Sequence, residues 1–398
     1  MELLLSCCRS NLENNYIELK EYLSGPSIDW QEFIALVARH RIFPMVHQVF
    51  KNCRVEVPVE VQLEIENQAA KGLKRVMNLA GELEALHQLF DVNKIEFISL
   101  KGPLMIWQLY GDYACRQTRD LDILVEEINI DKAILVLSHA GYHLIDKYFG
   151  LHPEKRALYL KRENHVRLRH PHKMIFVELH WTVSKYFTTI KTATLFDHQT
   201  QVNVHGRNFN TLPPDDYFIV LATHGIYHRF ELLLWLYDIG HMIRMPAINM
   251  KELPARAEKF NCTTAVNVSL ALAESLFNLS EPGDFQQLKP LTKKEQFIYN
   301  QCVDTIMGTS TQKPASRINR FLNTVTQRVS QQVYLLLMTD DRASKQRVLL
   351  NTLIKPYVWE DSAKIPQNNL LYLVLTQVKW LKIILSGRMN QRGQVRKK

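Results

Sequence analysis

The sequence predicts an α+β fold in which a small mixed sheet is flanked by helical regions. Short apolar segments with β-branched residues, typical of strands, occur between residues 94 and 210. Apolar residues at helical spacing, such as Leu79, Leu83 and Leu86, precede this part, and helical segments interrupted by prolines follow it. The expected regions are a helical N-terminal region (1–93), a mixed core (94–210), a helical C-terminal domain (211–387) and a basic tail (388–398).

A predicted strand from Ile95 to Leu100 leads into the turn Lys101-Gly102-Pro103. Glycine allows a tight turn, and proline suits the first position of a helix, where a missing N–H is not needed. We expect the helix to cover Leu104 to Tyr110 and to end at Gly111. A helix N-terminus behind a lysine favours an anion, so the turn indicates a phosphate site.

Asp120 and Asp122 lie at the start of the next predicted strand, Leu121 to Val125. Side chains alternate across a strand, so the two carboxylates point to the same side. Two carboxylates so close together repel each other, and removing them from water costs free energy. A divalent cation between them would lower both costs. Carboxylate oxygens are ligands that Mg²⁺ takes, so this pair predicts a metal site beside the phosphate site.

A helix from Asp131 to Ala140, ended by Gly141, should follow, and then a hairpin with strands His165 to His170 and Met174 to Trp181. In the second strand, Glu178 shares a face with Phe176 and His180. Glu178 is a candidate third metal ligand or general base. The alternative is an ion pair with Arg167 or Arg169 across the hairpin.

Several motifs together resemble the uncharacterised bacterial nucleotidyltransferase family, which belongs to the DNA polymerase β-like superfamily. They extend over roughly residues 33–243. The motifs are Lys101-Gly102, Leu109-Tyr110-Gly111-Asp112, Arg116, Asp120-Leu121-Asp122-Ile123-Leu124-Val125, Gly141-Tyr142, Val177-Glu178-Leu179-His180-Trp181, Leu221-Ala222-Thr223-His224 and Trp235-Leu236-Tyr237-Asp238.

The resemblance implies a polymerase β-like core with Asp120, Asp122 and Glu178 as the catalytic, metal-binding carboxylates. They would hold two Mg²⁺ ions, with Mn²⁺ as a substitute, during transfer of NMP from an NTP to a hydroxyl. ATP is the expected nucleotide, and the acceptor could be a small molecule, a protein or a nucleic acid. The nucleotide-binding positions implied by the resemblance are Lys101, Gly102, Arg116 and Arg119.

Two matters stay open at this point. Arg119 stands where the family tends to have glycine, and it could pair with the carboxylates or face the substrate. The chain could also be a noncatalytic relative that keeps the fold as a nucleotide-binding or protein-interaction module.

Other polar residues fit a structural role better. His224, His228 and Asp238 lie among helix-spaced apolar residues, so we interpret them as members of packed helices that bond one another. His180 could form either a pocket wall or part of the core.

Composition favours a cytoplasmic protein with real cores. The chain has 398 residues, 46% of them hydrophobic, and six cysteines without metal-ligand spacing. We expect no signal peptide and no transmembrane helix, because the most apolar segment, 370–385, is interrupted by lysines.

The net charge is +9, and a basic cluster (Lys155, Arg156, Lys161, Arg162, Arg167, Arg169) is placed on the hairpin, where it would attract a triphosphate.

Overall fold

The computed structural model describes residues 1–279, except 26, 55, 147–148 and 150–152, together with 290–308 and 329–353. The basic tail 388–398 and the apolar segment 370–385 lie outside these described residues. Within them, none of the helices is long and apolar enough to cross a membrane.

Five helices precede the sheet, as the apolar spacing predicts. The third is capped by Asp29, whose side chain accepts a hydrogen bond from the Glu32 backbone N–H. The five are α1 (Glu2–Glu13), α2 (Ile17–Leu23), α3 (Trp30–His40), α4 (Phe43–Cys53) and the 34-residue α5 (Val59–Val92).

The central sheet has five strands and is mixed, which confirms the predicted fold class. Its spatial order is β1-β2-β5-β4-β3; β2 and β5 run parallel, and the other neighbours run antiparallel. In chain order the elements are β1 (Ile98–Ser99), α6 (Pro103–Tyr110), β2 (Leu121–Leu124), α7 (Ile130–His139), β3 (His143–Leu144), α8 (Pro153–Arg162), β4 (His165–His170) and β5 (Ile175–His180).

One face of this sheet packs against helices, and the other carries polar groups. Val177 and Leu179 of β5 are fully buried in a cluster with Leu83 of α5 and Leu137 of α7. Because side chains alternate, Glu178 and His180 point to the opposite face. The packed face therefore fixes the sheet, and the opposite face is available for a site.

A second hydrophobic cluster joins the N-terminal helices to the helices that follow the sheet, and it includes Leu4 of α1 and Phe277 of α13. The later elements are α9 (Thr192–Asp197), β6 (Thr200–Val204), β7 (Arg207–Thr211), α10 (Pro214–Tyr227), α11 (Leu233–Ile243), α12 (Leu253–Lys259), α13 (Thr263–Phe277), α14 (Lys293–Met307), α15 (residues 329–338) and α16 (Arg342–Leu353).

Two local expectations were wrong, and one strand pair was missed. The first strand is limited to Ile98–Ser99, because the Ile95 backbone N–H still bonds the Phe90 carbonyl at the end of α5. Arg156 and Arg162 lie on α8 rather than on the hairpin, and they bond Asp131 and Asn351 respectively. The antiparallel pair β6–β7 was not predicted.

Candidate active site

The acid-bearing positions of β2 and β5 are direct neighbours. Asp122 is paired in register with Glu178 on the parallel strand, so both carboxylates project from the same face of the sheet. Asp120 precedes β2 and lines the same cavity as these two acids. The structure thus brings together the three carboxylates that the sequence singles out.

The turn before α6 lies against the start of β2. Gly102 has φ 89° and ψ −151°, and a Cβ at this position would lie 3.3 Å from the Asp120 carbonyl oxygen. L-residues rarely adopt this backbone conformation, so the close approach requires glycine. The preceding Leu100 donates its N–H to the Asp122 carbonyl at 2.9 Å and accepts a hydrogen bond from the buried Tyr217 hydroxyl.

This turn places the Lys101 ammonium within the site. Its Nζ lies 3.3 Å from Asp122 Oδ1 and 3.4 Å from His224 Nδ1. Lys101 lines the cavity, whereas Gly102 packs against the backbone of Asp120. The two turn residues therefore have different positions, one at the cavity surface and one behind it.

The cavity has a volume of about 410 Å³ and lies between the polar face of the sheet and the helices α10 and α11. Its lining combines the three acids with several cationic or imidazole side chains. These are Arg41, Lys101, Arg116, Arg119, His165, His180, Lys185, His224 and His228, and the acids Glu163 and Glu231 also line the cavity.

Burial and mutual repulsion give the acids unequal proton affinities. Burial, followed by the charges of Asp122 and Glu178, raises the pKa of Asp120 to about 7. For Asp122, burial also acts to raise the pKa, but Lys101 and the hydrogen bond with His180 outweigh it and lower the pKa strongly. Glu178 likewise has a lowered pKa, because its contact with His180 outweighs burial. Such repulsion between enclosed carboxylates is reduced when a cation binds.

His180 connects two of the acids. Its Nε2 lies 3.2 Å from Asp122 Oδ1 and 3.6 Å from Glu178 Oε2, and its side chain is only 6% exposed. Burial lowers the pKa of His180, but these two carboxylates outweigh it and raise the pKa overall. Of the two alternatives left by the sequence, the pocket wall is the better description.

His224 and His228 also line the cavity, and their rings pack against each other and against Trp235, so their interpretation as structural residues stays a prediction. Burial, assisted by the charge of Lys101, lowers the pKa of His224 well below its usual value and that of His228 to about 4. Neither histidine is the side-chain partner of Asp238. That carboxylate accepts hydrogen bonds from Arg116 and Tyr110 instead.

Arg116 forms a buried, two-pronged pair with Asp238 of α11. Its Nε and Nη2 donate to Oδ1 and Oδ2, both at 2.8 Å, and Nη1 donates to the Gln117 carbonyl at 3.0 Å. This pair attaches the segment before β2 to α11. The nucleotide-binding role of Arg116 stays a prediction, since its guanidinium is occupied by Asp238 in this structure.

Arg119 and Arg41 are the arginines near Asp120. Arg119 is exposed and lines the cavity, which fits the expectation that it faces a substrate. Arg41 ends α3 with a left-handed backbone, φ 59°, and its charge acts on Asp120. No local sequence pattern points to Arg41, because it reaches the site from a helix far away along the chain.

The alternative pairing of Glu178 across the hairpin is not what the structure contains. Arg167 lies opposite Glu178 in β4, but its Nη2 donates to Asp146 at 2.8 Å. Arg169 lies over the Phe176 ring. The neighbours of Glu178 are instead His165 and His180.

Comparison with known proteins gives one match. Residues 26–278, more than half of the chain, match the family described as "Uncharacterised nucleotidyltransferase". No curated protein and no solved structure matches. The matched range contains the whole sheet, all three acids and the helices α10 and α11 that form the other wall of the cavity. The chain therefore belongs to this uncharacterised nucleotidyltransferase family.

Proposed function

We propose that this protein transfers NMP from an NTP to a hydroxyl group of an acceptor in an Mg²⁺-dependent reaction. The observation that carries the proposal is the register of Asp122 with Glu178, beside Asp120, in a cavity that also holds Lys101. Three carboxylates so placed repel one another, and a divalent cation would relieve this repulsion.

The donor set fits Mg²⁺, because carboxylate oxygens are its preferred protein ligands. Asp120, Asp122 and Glu178 would hold the ions, with Mn²⁺ as a substitute. When bound, the ions would neutralise the triphosphate and lower the pKa of the acceptor hydroxyl.

The chain's own contribution is to position the reactants. The Lys101 ammonium, a compact charge next to Asp122, can move to a phosphate oxygen once a cation neutralises that acid. Arg119 and Arg41 provide further positive charge near Asp120 for the triphosphate. The acceptor oxygen would bond to the α-phosphorus as the bond to the β-phosphate breaks, releasing pyrophosphate.

The substrates are an NTP, with ATP as the expected nucleotide, and a hydroxyl acceptor that could be a small molecule, a protein or a nucleic acid. The helices α10 and α11 form the cavity wall that faces the acids, through His224 and Trp235. We propose that the acceptor binds against this wall.

A noncatalytic nucleotide-binding module is the second candidate. It is favoured by the contacts of Asp122 with Lys101 and His180, which compensate this carboxylate without a metal ion. The two candidates differ in turnover and not in nucleotide binding, so an activity measurement separates them.

The test is a screen of labelled NTPs with Mg²⁺ or Mn²⁺ against candidate acceptors and lysate fractions, scoring label transfer and pyrophosphate release. We expect metal-dependent transfer that is lost in Asp122→Asn and kept in Asp131→Asn, whose side chain is 65% exposed on α7. Undiminished turnover in folded Asp122→Asn would contradict the mechanism. Nucleotide binding without label transfer for any acceptor would favour the noncatalytic module.

A further inference from the structure

Three potential metal ligands from the β4–β5 hairpin converge on one point at the acid site. His165 lies opposite His180 across the two strands, and Glu178 precedes His180 by two positions on the same face. His165 Nε2 lies 3.8 Å and His180 Nε2 lies 3.6 Å from the same oxygen, Glu178 Oε2. One ligand atom from each residue lies within 4.8 Å of the other two.

Neighbouring groups orient His165 for metal binding. Its Nδ1 lies 3.2 Å from the Asn164 side-chain oxygen, which can only accept a hydrogen bond. The proton therefore belongs on Nδ1, and in the neutral ring the Nε2 lone pair is directed towards Glu178. An amide oxygen that fixes the distal N–H is the kind of support that metal-binding histidines usually have.

Two of the three ligand–ligand distances suit one ion better than direct hydrogen bonds. With metal–ligand bonds of about 2.0–2.2 Å, two ligands of a tetrahedral ion lie roughly 3.4 Å apart. The observed 3.6 and 3.8 Å are close to this value and long for a hydrogen bond. Asp122 Oδ1 is hydrogen-bonded with His180 Nε2 at 3.2 Å, and it would become a fourth ligand next to the same point once an ion displaces the proton between them.

We propose that His165, Glu178 and His180 bind one divalent first-row transition-metal ion of the Zn²⁺ or Co²⁺ class in preference to Mg²⁺. Imidazole nitrogen is a good ligand for these ions, whereas Mg²⁺ prefers an all-oxygen shell. The inference deepens the proposed function and rests on it for the use of the ion. The bound ion would take the place of one of the two Mg²⁺ ions and would be present before the nucleotide binds.

The test measures metal binding by the metal-free full-length chain without nucleotide. Co²⁺ is titrated by visible absorption, and Zn²⁺, Mn²⁺ and Mg²⁺ by calorimetry. We expect one equivalent of Co²⁺ or Zn²⁺ to bind at least 100-fold more tightly than Mg²⁺. His165→Ala should weaken Co²⁺ binding at least tenfold, whereas His172→Ala, an exposed histidine on the same hairpin, should bind like the wild type.

Two results would overturn the proposal: equal affinity for Co²⁺ and Mg²⁺ in the wild type, or unchanged Co²⁺ affinity in His165→Ala. If His165→Ala is not folded, as judged by circular dichroism, Glu178→Gln supplies the same comparison with a side chain of equal size. Label transfer with Mg²⁺ is measured separately. Tight Co²⁺ binding without transfer contradicts the proposed function alone, and transfer without selective Co²⁺ binding contradicts this inference alone.

Discussion

Lys101 holds its ammonium between Asp122 and His224, at 3.3 and 3.4 Å. A hydrogen bond to a charged group contributes about 1.5–3 kcal/mol. We therefore expect Lys101→Ala to weaken ATP binding roughly tenfold or more in a calorimetric titration. Lys101→Arg should restore little, because a planar guanidinium does not replace a compact ammonium at this spacing.

The control for Lys101 is the hairpin double variant Arg167→Ala/Arg169→Ala, whose side chains lie near the site but at the surface. Exposed charges are screened over about 8 Å at physiological ionic strength. ATP affinity should therefore fall mainly at low salt in this variant, and at both salt concentrations in Lys101→Ala. Wild-type binding by Lys101→Ala at both concentrations would mean that the Lys-Gly turn is structural.

Gly102→Ala tests whether the turn before α6 requires glycine, and Gly81→Ala is its control. At Gly102 the positive φ of 89° strains any side chain, and Cβ would meet the Asp120 carbonyl at 3.3 Å. We expect Gly102→Ala to lower the free energy of unfolding by about 1–3 kcal/mol in urea denaturation. Gly81 lies inside α5 with no neighbour within 4 Å, so Gly81→Ala should raise it by about 0.5–1 kcal/mol. Equal effects of the two substitutions would contradict this account of the turn.

His40 makes the stability depend on pH. It is fully buried and accepts a hydrogen bond from the Leu233 backbone N–H at 3.0 Å. Burial, followed by the charge of Arg39, lowers the pKa of His40 from 6.5 to about 4. The unfolded chain therefore binds the proton more readily, and stability that is present above pH 6.5 is lost as the pH falls towards 4.

The full pKa difference corresponds to about 3 kcal/mol. We expect His40→Asn, which keeps an acceptor for Leu233, to reduce the pH dependence of the free energy of unfolding between pH 6.5 and 4, and the part that remains belongs to other buried histidines such as His228. Unfolding curves recorded at several pH values measure this change. If the free energy of unfolding of the variant depends on pH as strongly as that of the wild type, His40 does not contribute to this dependence.

At the level of elements, the Arg116–Asp238 pair attaches the segment before β2 to α11. Both side chains are almost fully buried, at 5% and 1% exposure. Removing one partner leaves an uncompensated buried charge, so Asp238→Ala should lower the free energy of unfolding by about 3–5 kcal/mol in urea denaturation. The control Glu84→Ala removes an exposed pair with Arg207 and should change it by less than about 1 kcal/mol. Similar values for both variants would contradict the role of this anchor.

Elements with a local sequence signal were predicted well. The helix after the Lys-Gly turn ends where Gly111 adopts φ 68°, and β2 and β5 follow their apolar alternation. By contrast, β6 and β7 bury only Val204, Phe209 and Thr211, and only the first two of these are apolar. Two apolar positions give too weak a pattern for a strand pair. The turn between the two strands, in which His205 and Gly206 both have positive φ, is typical of a hairpin and was the available sequence signal for this pair.

In the site, too, only the residues with a local sequence signal could be predicted. Asp120, Asp122 and Glu178 could be placed on one face, because strand alternation fixes the direction of each side chain. The contact of His224 with Lys101 and the electrostatic effect of Arg41 on Asp120 join elements that are distant along the chain. Helical spacing identifies such residues as helical but does not show which cavity they reach.

On the scale of the whole molecule, the first and later helices share one hydrophobic core. Leu4 of α1 is fully buried in the cluster that contains Phe277 of α13. We expect Leu4→Ala to lower the free energy of unfolding by about 2–5 kcal/mol. Limited proteolysis should then show faster cleavage in the later helices as well as in α1. Ile17→Ala, at a position that is 65% exposed, is the control, and cleavage confined to the N-terminus of Leu4→Ala would contradict a shared core.

The parallel pairing of β2 with β5 has a consequence for folding kinetics. His180 and Asp122 touch although they are 58 positions apart, and two helices and two strands lie between them. The β4–β5 hairpin can form locally, whereas the β2–β5 pair must first close this long loop. Until then, the acids of the two strands are separated and hydrated. Repulsion between Asp122 and Glu178 opposes the closing step, whereas the contact of His180 with Asp122 favours it, so we expect the refolding rate to depend on the charge at this site.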